Sequence, residues 1–484
     1  MTTSKTAVHD VYVVDGSRSP FLKAKGKPGP FTAANIAVSA ARPLLARMPF
    51  SPSDIDEVIA GCVMPGPDEA NIARVVALRL GCDEHVPAWT VQRNCASGLQ
   101  ALDCAATNIA TGRSGLVLAG GIESMSHAPV LLAEAMVAWL GDWYRIKSLG
   151  GRLKALGQLR PAYFKPIIAL LRGLTDPVVG LSMGQTAEVL AHRFNINREA
   201  MDSYAARSHA RLAAAQDQGF LGEIETIYDT SGKFYKDDDG LRRDSSVEQL
   251  AKLKPVFDRP FGDVTAGNSA QVTDGSAWLV LANAENVEKF NLPVLGKILD
   301  SEWAGLDPSQ MGLGPVHAMT PILQRRKMKL SDVDYWEINE AFAAQVLANL
   351  EAWKEDKYCS EQLGLTKPMG ELDQERLNVD GGGVSIGHPV GASGARIVLH
   401  LLHVLKRNNA KTGMASLCIG GGQGGAMLLE SCSGVGPAEK PKAAVKKKKA
   451  KPKTAKTEPA AEASAEDNSS TADTLKTEDN IAKE

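Results

Sequence analysis

Four polar residues far apart in the chain could do sulfur chemistry together: Cys95 in RNCASGLQAL, Asn339 in EINEAFAAQ, His388 in GGGVSIGHPVGASGAR and Cys418 in CIGGGQGGAM. A thiol becomes a nucleophile when a base takes its proton, and imidazole is well matched to that task near neutral pH. A second cysteine can then move a proton on another substrate. Cys95 stands where a helix should begin, because Leu99, Leu102, Ala106 and Ile109 share one face and Gly112 marks the stop. Unpaired N–H groups and the positive dipole end favour an anion there, which predicts a thiol drawn below its ordinary pKa of about 8.5. Ala96, Ser97 and Gly98 would leave room for a substrate to approach. Taken alone, a cysteine in such a place is more often buried packing than chemistry, so the reading depends on the other three segments.

Each of those segments falls at an expected strand end, where loops of a layered α/β fold bring side chains together. The glycines around His388 and Cys418 allow backbone N–H groups to approach an oxygen that gains charge in a transition state. The chain contains no G-x-x-x-x-G-K-[ST] and no G-x-G-x-x-G with its acidic partner, which argues against nucleotide hydrolysis. Acyl transfer through a thioester suits the set: His388 takes the Cys95 proton, the thiolate attacks, and Cys418 handles the second proton.

Two pairs of stretches suggest how these residues are positioned. SPSDIDEVIAGC (51–62) resembles KLSDVDYWEINE (329–340), and ASGLQALDCAATNIATGRSGLVLAGG (96–121) parallels ASGARIVLHLLHVLKRNNAKTGMASLCIGGG (392–422) in the same order. Both patterns predict a helix-and-strand unit used twice, each half a mixed sheet flanked by helices. Cys95 and Cys418 would then occupy related places, and a pseudo-twofold would bring them to one cleft.

The 484 residues are 44% apolar with a formal net charge of −2. Residues 434–484 carry 11 Lys and 9 acids, which leaves 43 basic and 47 acidic residues in the body and no electrostatic case for nucleic-acid binding. Seven scattered cysteines without a C-x-x-C spacing fit a reducing, cytoplasmic setting. The start of the chain has no apolar or Arg-rich leader, and no run of apolar residues is long enough to span a membrane. KPKAAVKKKKAKPKTAK (440–456) and the acidic stretch after it read as a solvated, disordered tail.

NCASGLQAL, SMGQTAE, VTAGNSAQVTDGSA, NEAFAAQ, NVDGGGVSIGHPVGASGAR and CIGGGQGGA, in this order over residues 8–431, resemble the thiolase family. The resemblance implies an α/β fold of two duplicated domains, each with a five-stranded sheet, stacked as α/β/α/β/α layers with a loop domain inserted. On this sequence the N-terminal half would be 1–127 plus 262–292, the loop domain 128–261, the C-terminal half 293–432 and the tail 433–484. It also implies an acyl-CoA C-acyltransferase that cleaves 3-ketoacyl-CoA with CoA or runs the reverse condensation. Fatty-acid β-oxidation is the expected setting, and biosynthetic acetoacetyl-CoA formation the alternative. Cys95 would be acylated, His388 would activate it and bind the thioester oxygen, and Cys418 would be the acid/base. Asn339 would hold a water at one oxyanion site, and the N–H groups of Cys95 and Gly420 would form another. Met183, Ala266, Ser269, Met311 and Phe342 would contact acyl-CoA. Coenzyme A is then a substrate, and no metal or redox cofactor is expected.

The sequence departs from the family's pattern in one place that bears on binding. The position after TAGN that commonly carries a hydroxyl for the pantetheine arm is Ala270, with Ser269 beside it. The segment 131–176 is unusually apolar, with seven basic and three acidic residues. A basic amphipathic excursion can cap its own domain, cover an acyl tunnel, lie on anionic membrane or dock on a partner. It resembles the thiolase subunits of fatty-acid oxidation complexes, whose partner is a hydratase/dehydrogenase chain, although those commonly have histidine where NEAF has Asn339. A homodimer or dimer of dimers is expected. A ketoacyl synthase would lack Cys418, and a non-catalytic scaffold would not need the full quartet. His192, His209, His400 and His403 read as surface or packing residues, and His127 as a weaker cleft candidate.

Overall fold

A computed structural model describes residues 9–432; the expected tail lies outside the described residues. One continuous sheet runs through the body. Ala88–Val91, Glu57–Gly61, Leu116–Ser124, Thr273–Ala282 and Val11–Arg18 lie side by side in that order, and Gly296–Gly305, Gln423–Ser431, Thr412–Ile419 and Tyr335–Ile338 continue from there. The first five strands form one half and the last four the other, so the second half has one strand fewer than expected. A short antiparallel ladder, Val11–Val13 against Gly296–Ile298, joins the two.

The duplication is written in hydrogen bonds as well as in sequence. In each half a 3-10 turn, Pro52–Asp54 or Leu330–Asp332, leads into a strand that pairs in parallel with the next one. Asp56 Oδ2 accepts from the N–H groups of Gly115 and Leu116 at the start of that partner strand. Asp334 Oδ2 does the same for Lys411 and Thr412. One aspartate per half thus sets the register of a parallel pair by satisfying N–H groups that would otherwise lack a partner.

The central strands are buried on both faces, which is why they read as continuous apolar runs rather than alternating ones. Val117, Ala119, Leu279 and Leu281 point to a central core, whereas Leu116, Leu118, Trp278 and Val280 point to an outer one. In the other half Met427 and Leu429 face the centre while Met414 and Leu428 face outward. The central layer is two helices, Ser97–Ala110 and Val390–Arg407, contributing Leu99 and Leu102 on one side and Ile397 and Leu401 on the other. Outer helices such as Ala33–Ala46 and Gly314–Arg326 complete the layers.

The two central helices approach closely because glycines line the crossing. A Cβ at Gly98 would sit 2.8 Å from Gly391 O and 2.9 Å from Ala395 N, and one at Gly394 would sit 2.5 Å from Leu99 N. Ala96 and Ser97 are fully buried. The run after Cys95 is therefore small so that helices can pack, and not to leave room for a substrate.

A buried charge cluster ties the halves to the segment between them. Arg18 forms ion pairs with Asp238 at 2.7 Å and Glu223 at 3.4 Å; His400 lies 2.9 Å from Glu223 and 3.1 Å from Asp380, which also holds Arg407 at 2.8 Å. Three carboxylates against two arginines balance only if His400 carries a proton. Burial opposes that charge, but Glu223 and Asp380 outweigh it and push the His400 pKa up to about 10. His400 is thus an ion-pair member rather than packing, and His209 is buried and held neutral, its Nδ1 accepting from Arg242 N–H.

Residues 130–176 form a small excursion: a two-residue ladder of Val130–Leu131 with Ile167–Ile168, and helices Glu134–Arg145, Leu149–Leu156 and Ala169–Gly173. Trp139 and Trp143 stack at 5.2 Å, and Trp139 Nε1 donates to Ala155 O. The excursion is only partly a self-buried cap, because Tyr144, Leu149, Leu153, Phe164 and Leu171 stay exposed. Among the described residues no helix is long and apolar enough to cross a membrane.

A group whose pKa is raised by folding stabilises the fold fully below its unfolded value, about 6.5 for histidine, and that stability is lost as pH rises through the folded value. Urea unfolding should therefore show stability falling from pH 7 to pH 10.5. His400→Gln should cost about 3 kcal/mol at pH 7, the cost of breaking a buried ion pair, and should flatten that decline; an unchanged slope would remove His400 as its source.

Candidate active site

Cys95 lies between the Ala88–Val91 strand and the first central helix, in a turn fixed by its neighbours. Ser97 Oγ donates to Asn94 O at 2.7 Å and accepts from Arg93 N–H at 2.9 Å. Asn94 adopts φ 44°, a left-handed conformation that asparagine tolerates, and its Nδ2 donates to Gly420 O at 2.9 Å. This bond crosses from one half to the other and holds Gly420, whose N–H, like that of Cys95 itself, favours a negative charge on the Cys95 sulfur. Gly421 and Gly422, at φ 92° and 75°, turn the chain sharply beyond it.

His388 lies just before the second central helix. Its Nδ1 is 2.6 Å from Ser393 Oγ, and Ser393 in turn donates to Pro389 O at 3.1 Å. With the hydroxyl proton committed to the carbonyl, Ser393 accepts from Nδ1–H, which leaves Nε2 as the ring's lone-pair nitrogen. Asn339 follows the Tyr335–Ile338 strand, is fully buried, and approaches His388 Nδ1 at 3.5 Å; among the described residues its Oδ1 has no hydrogen-bond partner. Glu340 beside it accepts from Tyr204, Ser208, Asn378 and Val384 N–H and so ties the Arg198–Asp217 helix to the segment leading to His388.

Cys95, His388 and Cys418 line one cavity of about 340 Å³. Most of its wall is apolar, with Met125, Phe257, Val272 and Val390 beside the expected Met183, Met311 and Phe342, and no Asp, Glu, Lys or Arg is among the residues lining it. Asn339 and Gly420 are not among the residues that line it. Ala266 is exposed and away from the cavity. Ser269 lines it, but its hydroxyl donates to Thr265 O at 2.6 Å and so is already used by the backbone. His127 bonds Gly29 O and lies outside the cavity. Leu171, Leu174 and Thr175, from the end of the excursion, reach the cavity; only the apolar character of that segment hinted at this. A larger cleft of about 1030 Å³ near Asp103, Cys104 and Arg113 holds none of the quartet.

Burial dominates the electrostatics. Desolvation raises the Cys95 pKa despite the two N–H groups at the sulfur, so the expected drift toward thiolate is reversed. Desolvation, with some help from Arg396, lowers His388 to about 4. Desolvation and the nearby Cys95 push Cys418 far up. The resting site is therefore a neutral thiol beside a neutral imidazole. Cys95 and Cys418 are also not counterparts under the duplication: Cys95 precedes the helix that corresponds to the one after His388, and Cys418 is on the strand that corresponds to Leu116–Ser124.

Two α/β halves sharing one sheet, with a cysteine and a histidine at the two matching turns of the central helices and a second cysteine across the cavity, define the thiolase class of fold and site. The family models agree: the thiolase N-terminal domain matches residues 11–285 and the thiolase C-terminal domain residues 292–431. The 3-ketoacyl-CoA thiolase of Serratia proteamaculans is 35% identical over 423 residues, 87% of this chain and 96% of that protein. Human mitochondrial 3-ketoacyl-CoA thiolase, solved alone and in complex with CoA, superposes with a TM-score of 0.74 at 36% identity over 88% of this chain, covering 100% and 98% of those chains. The acetyl-CoA acetyltransferase of Syntrophomonas wolfei gives a TM-score of 0.77 at 33% identity, over 88% of this chain and 100% of that one. The chain belongs to the thiolase family.

A neutral thiol at rest predicts that iodoacetamide alkylates Cys95 slowly at pH 6 to 7 and faster as pH rises, with an inflection above the ordinary thiol value of about 8.5. A rate already at its plateau at pH 6, as a thiolate–imidazolium pair would give, would contradict it.

Proposed function

We propose that the chain is an acyl-CoA C-acyltransferase that exchanges acyl groups between 3-ketoacyl-CoA and CoA through an acyl-Cys95 intermediate. The observation that carries this reading is the meeting of Cys95, His388 and Cys418 on one apolar cavity, although some 290 to 320 positions separate the first from the others.

In the thiolytic direction His388 Nε2 takes the Cys95 proton and the sulfur attacks the 3-keto carbon. The N–H groups of Cys95 and Gly420 stabilise the oxygen that gains charge. The C2–C3 bond breaks and its electron pair passes into the enolate of acetyl-CoA. His388, now protonated, donates to the enolate oxygen, with Asn339 positioning a water beside it. Cys418 delivers its proton to C2, and its thiolate then deprotonates CoA, which attacks the acyl-Cys95 thioester; the shortened acyl-CoA is released, and the departing Cys95 thiolate takes back the proton held by His388. The high pKa of Cys418 suits a proton that must move to and from carbon. The relatives named 3-ketoacyl-CoA thiolase support 3-ketoacyl-CoA as the substrate, and we read fatty-acid β-oxidation as its setting.

The excursion supports a preference for longer acyl chains, because Leu171 and Leu174 extend the apolar wall. Its exposed Tyr144, Leu149 and Leu153, with the basic residues among them, suit contact with a partner subunit such as a hydratase/dehydrogenase chain. The Ala88–Val91 strand ends the sheet, and an open edge next to the Cys95 turn suits the expected homodimer.

Cys95→Ala should abolish thiolysis and condensation, by at least about 10⁴-fold as for loss of a covalent nucleophile, and leave the melting temperature near that of the wild type. Intact-mass spectra after exposure to 3-ketoacyl-CoA should show an acyl adduct on the wild type and none on the variant; retained thiolysis would refute the assignment. Leu171→Trp should lower kcat/KM for long-chain substrates more than for acetoacetyl-CoA, and an equal effect on all lengths would separate the excursion from chain-length choice.

A further inference from the structure

Glu123 is a fully buried carboxylate with no role in the chemistry above. It stands near the end of the Leu116–Ser124 strand, which corresponds under the duplication to the strand that carries Cys418. Among the described residues its hydrogen-bond donors are three backbone N–H groups and a thiol, none of them charged. Val63 N–H and Gly391 N–H donate to Oε2 at 3.0 and 3.1 Å, and Met64 N–H donates to Oε1 at 3.0 Å; the Cys62 thiol lies 3.9 Å from Oε1. One carboxylate therefore joins the loop after the Glu57–Gly61 strand to the turn that follows His388.

The fit at that turn is tight. A Cβ on Gly391 would collide with Ile122 O and come within 2.8 Å of Glu123 Oε2, so only glycine lets its N–H reach the carboxylate. Gly391 O in turn packs on Gly98 and Gly121, three residues after Cys95 and two before Glu123. The carboxylate thus sits beneath the place where the Cys95 turn and the His388 turn meet. From this contact set we propose that Glu123 is a positioning residue, which fixes the His388 turn against the Cys95 turn through Gly391 N–H. The proposal rests on the reading of Cys95 and His388 given above.

Other titratable groups around it are Asp274 on the neighbouring strand, Cys62 on the loop it holds, and Cys95 and His388 at the two turns. Burial, with a smaller contribution from Asp274, raises the Glu123 carboxyl to about 7 against the pull of its three N–H donors. Its negative charge is felt at Cys95, where it opposes ionisation of the thiol. This gives a readout that loss of packing alone would not move.

Glu123→Gln keeps the shape but turns an amide NH₂ toward N–H donors, so at least one of the three bonds is lost. Displacing a reacting group by a fraction of an ångström to one ångström costs up to about 10²-fold. The expected result is a kcat at least tenfold lower with KM for CoA and 3-ketoacyl-CoA within about twofold. The pH midpoint for iodoacetamide alkylation of Cys95 should move to lower pH, because a negative charge has been removed. A kcat within twofold of the wild type overturns the proposal, and so does a lower kcat with an unmoved alkylation midpoint. Should that variant fail to fold, Glu123→Asp, which keeps the charge but shortens the reach to Gly391 N–H, decides: a kcat at least tenfold lower with an unmoved alkylation midpoint supports the proposal, and a kcat within twofold of the wild type overturns it. Absence of thiolysis in the wild type would defeat the reading of the site, whereas an active wild type matched by Glu123→Gln defeats this inference alone.

Discussion

The close crossing of the Ser97–Ala110 and Val390–Arg407 helices is the constraint on which the site depends. Gly98, Gly391 and Gly394 bring the two backbones together without a Cβ between them, and the turns before these helices are where Cys95 and His388 stand. Glycine in a helix costs up to about 1 kcal/mol relative to alanine, so three at one crossing are a standing expense. The closeness of two helix starts is what that expense secures, and no loop could hold it as firmly.

Two different electrostatic regimes exist within one buried core. Arg18, Glu223, Asp238, Asp380, His400 and Arg407 are charged, and each is met by an opposite charge. No Asp, Glu, Lys or Arg lines the cavity, so burial is the largest influence there, and Cys95, His388 and Cys418 are all pushed toward their neutral forms. Charge is thus kept where it fastens the fold and kept out of the place where it must be created and destroyed in each turnover.

The candidate site was legible only from the segments taken together: a cysteine at a helix start alone reads as packing, but Cys95, Asn339, His388 and Cys418 at successive strand ends make a coherent set for acyl transfer. The repeated aspartates of SDID and SDVD made the duplication legible, and the structure shows both doing the same backbone work. Other features could not be read. The central strands show no period-2 pattern, since both faces are buried, and so gave no sign of which residues face the site. The smallness of Ala96, Ser97 and Gly98 has two explanations in sequence, access and packing, and only the partner helix decides between them. Glu123 acts through partners 59 to 268 positions away and His400 through partners 20 and 177 positions away, and no local spacing announces such contacts.

The reversed state of the thiol shows how the remaining parts must cooperate. A dipole and two N–H groups would lower the pKa of an exposed cysteine, but here they act on a partly buried sulfur on a mostly apolar cavity, and desolvation wins. A nucleophile of this kind is silent until a base is available at contact distance. His388 can be that base because its Nδ1 is committed to Ser393, whose own proton is committed to Pro389 O, which leaves Nε2 free to accept. The same burial that makes thiolate costly makes every later hydrogen bond to a nascent oxyanion stronger. The apolar wall therefore raises the cost of the first proton transfer and lowers that of carbon–carbon cleavage, and cleavage is the harder step for the chemistry to achieve unaided.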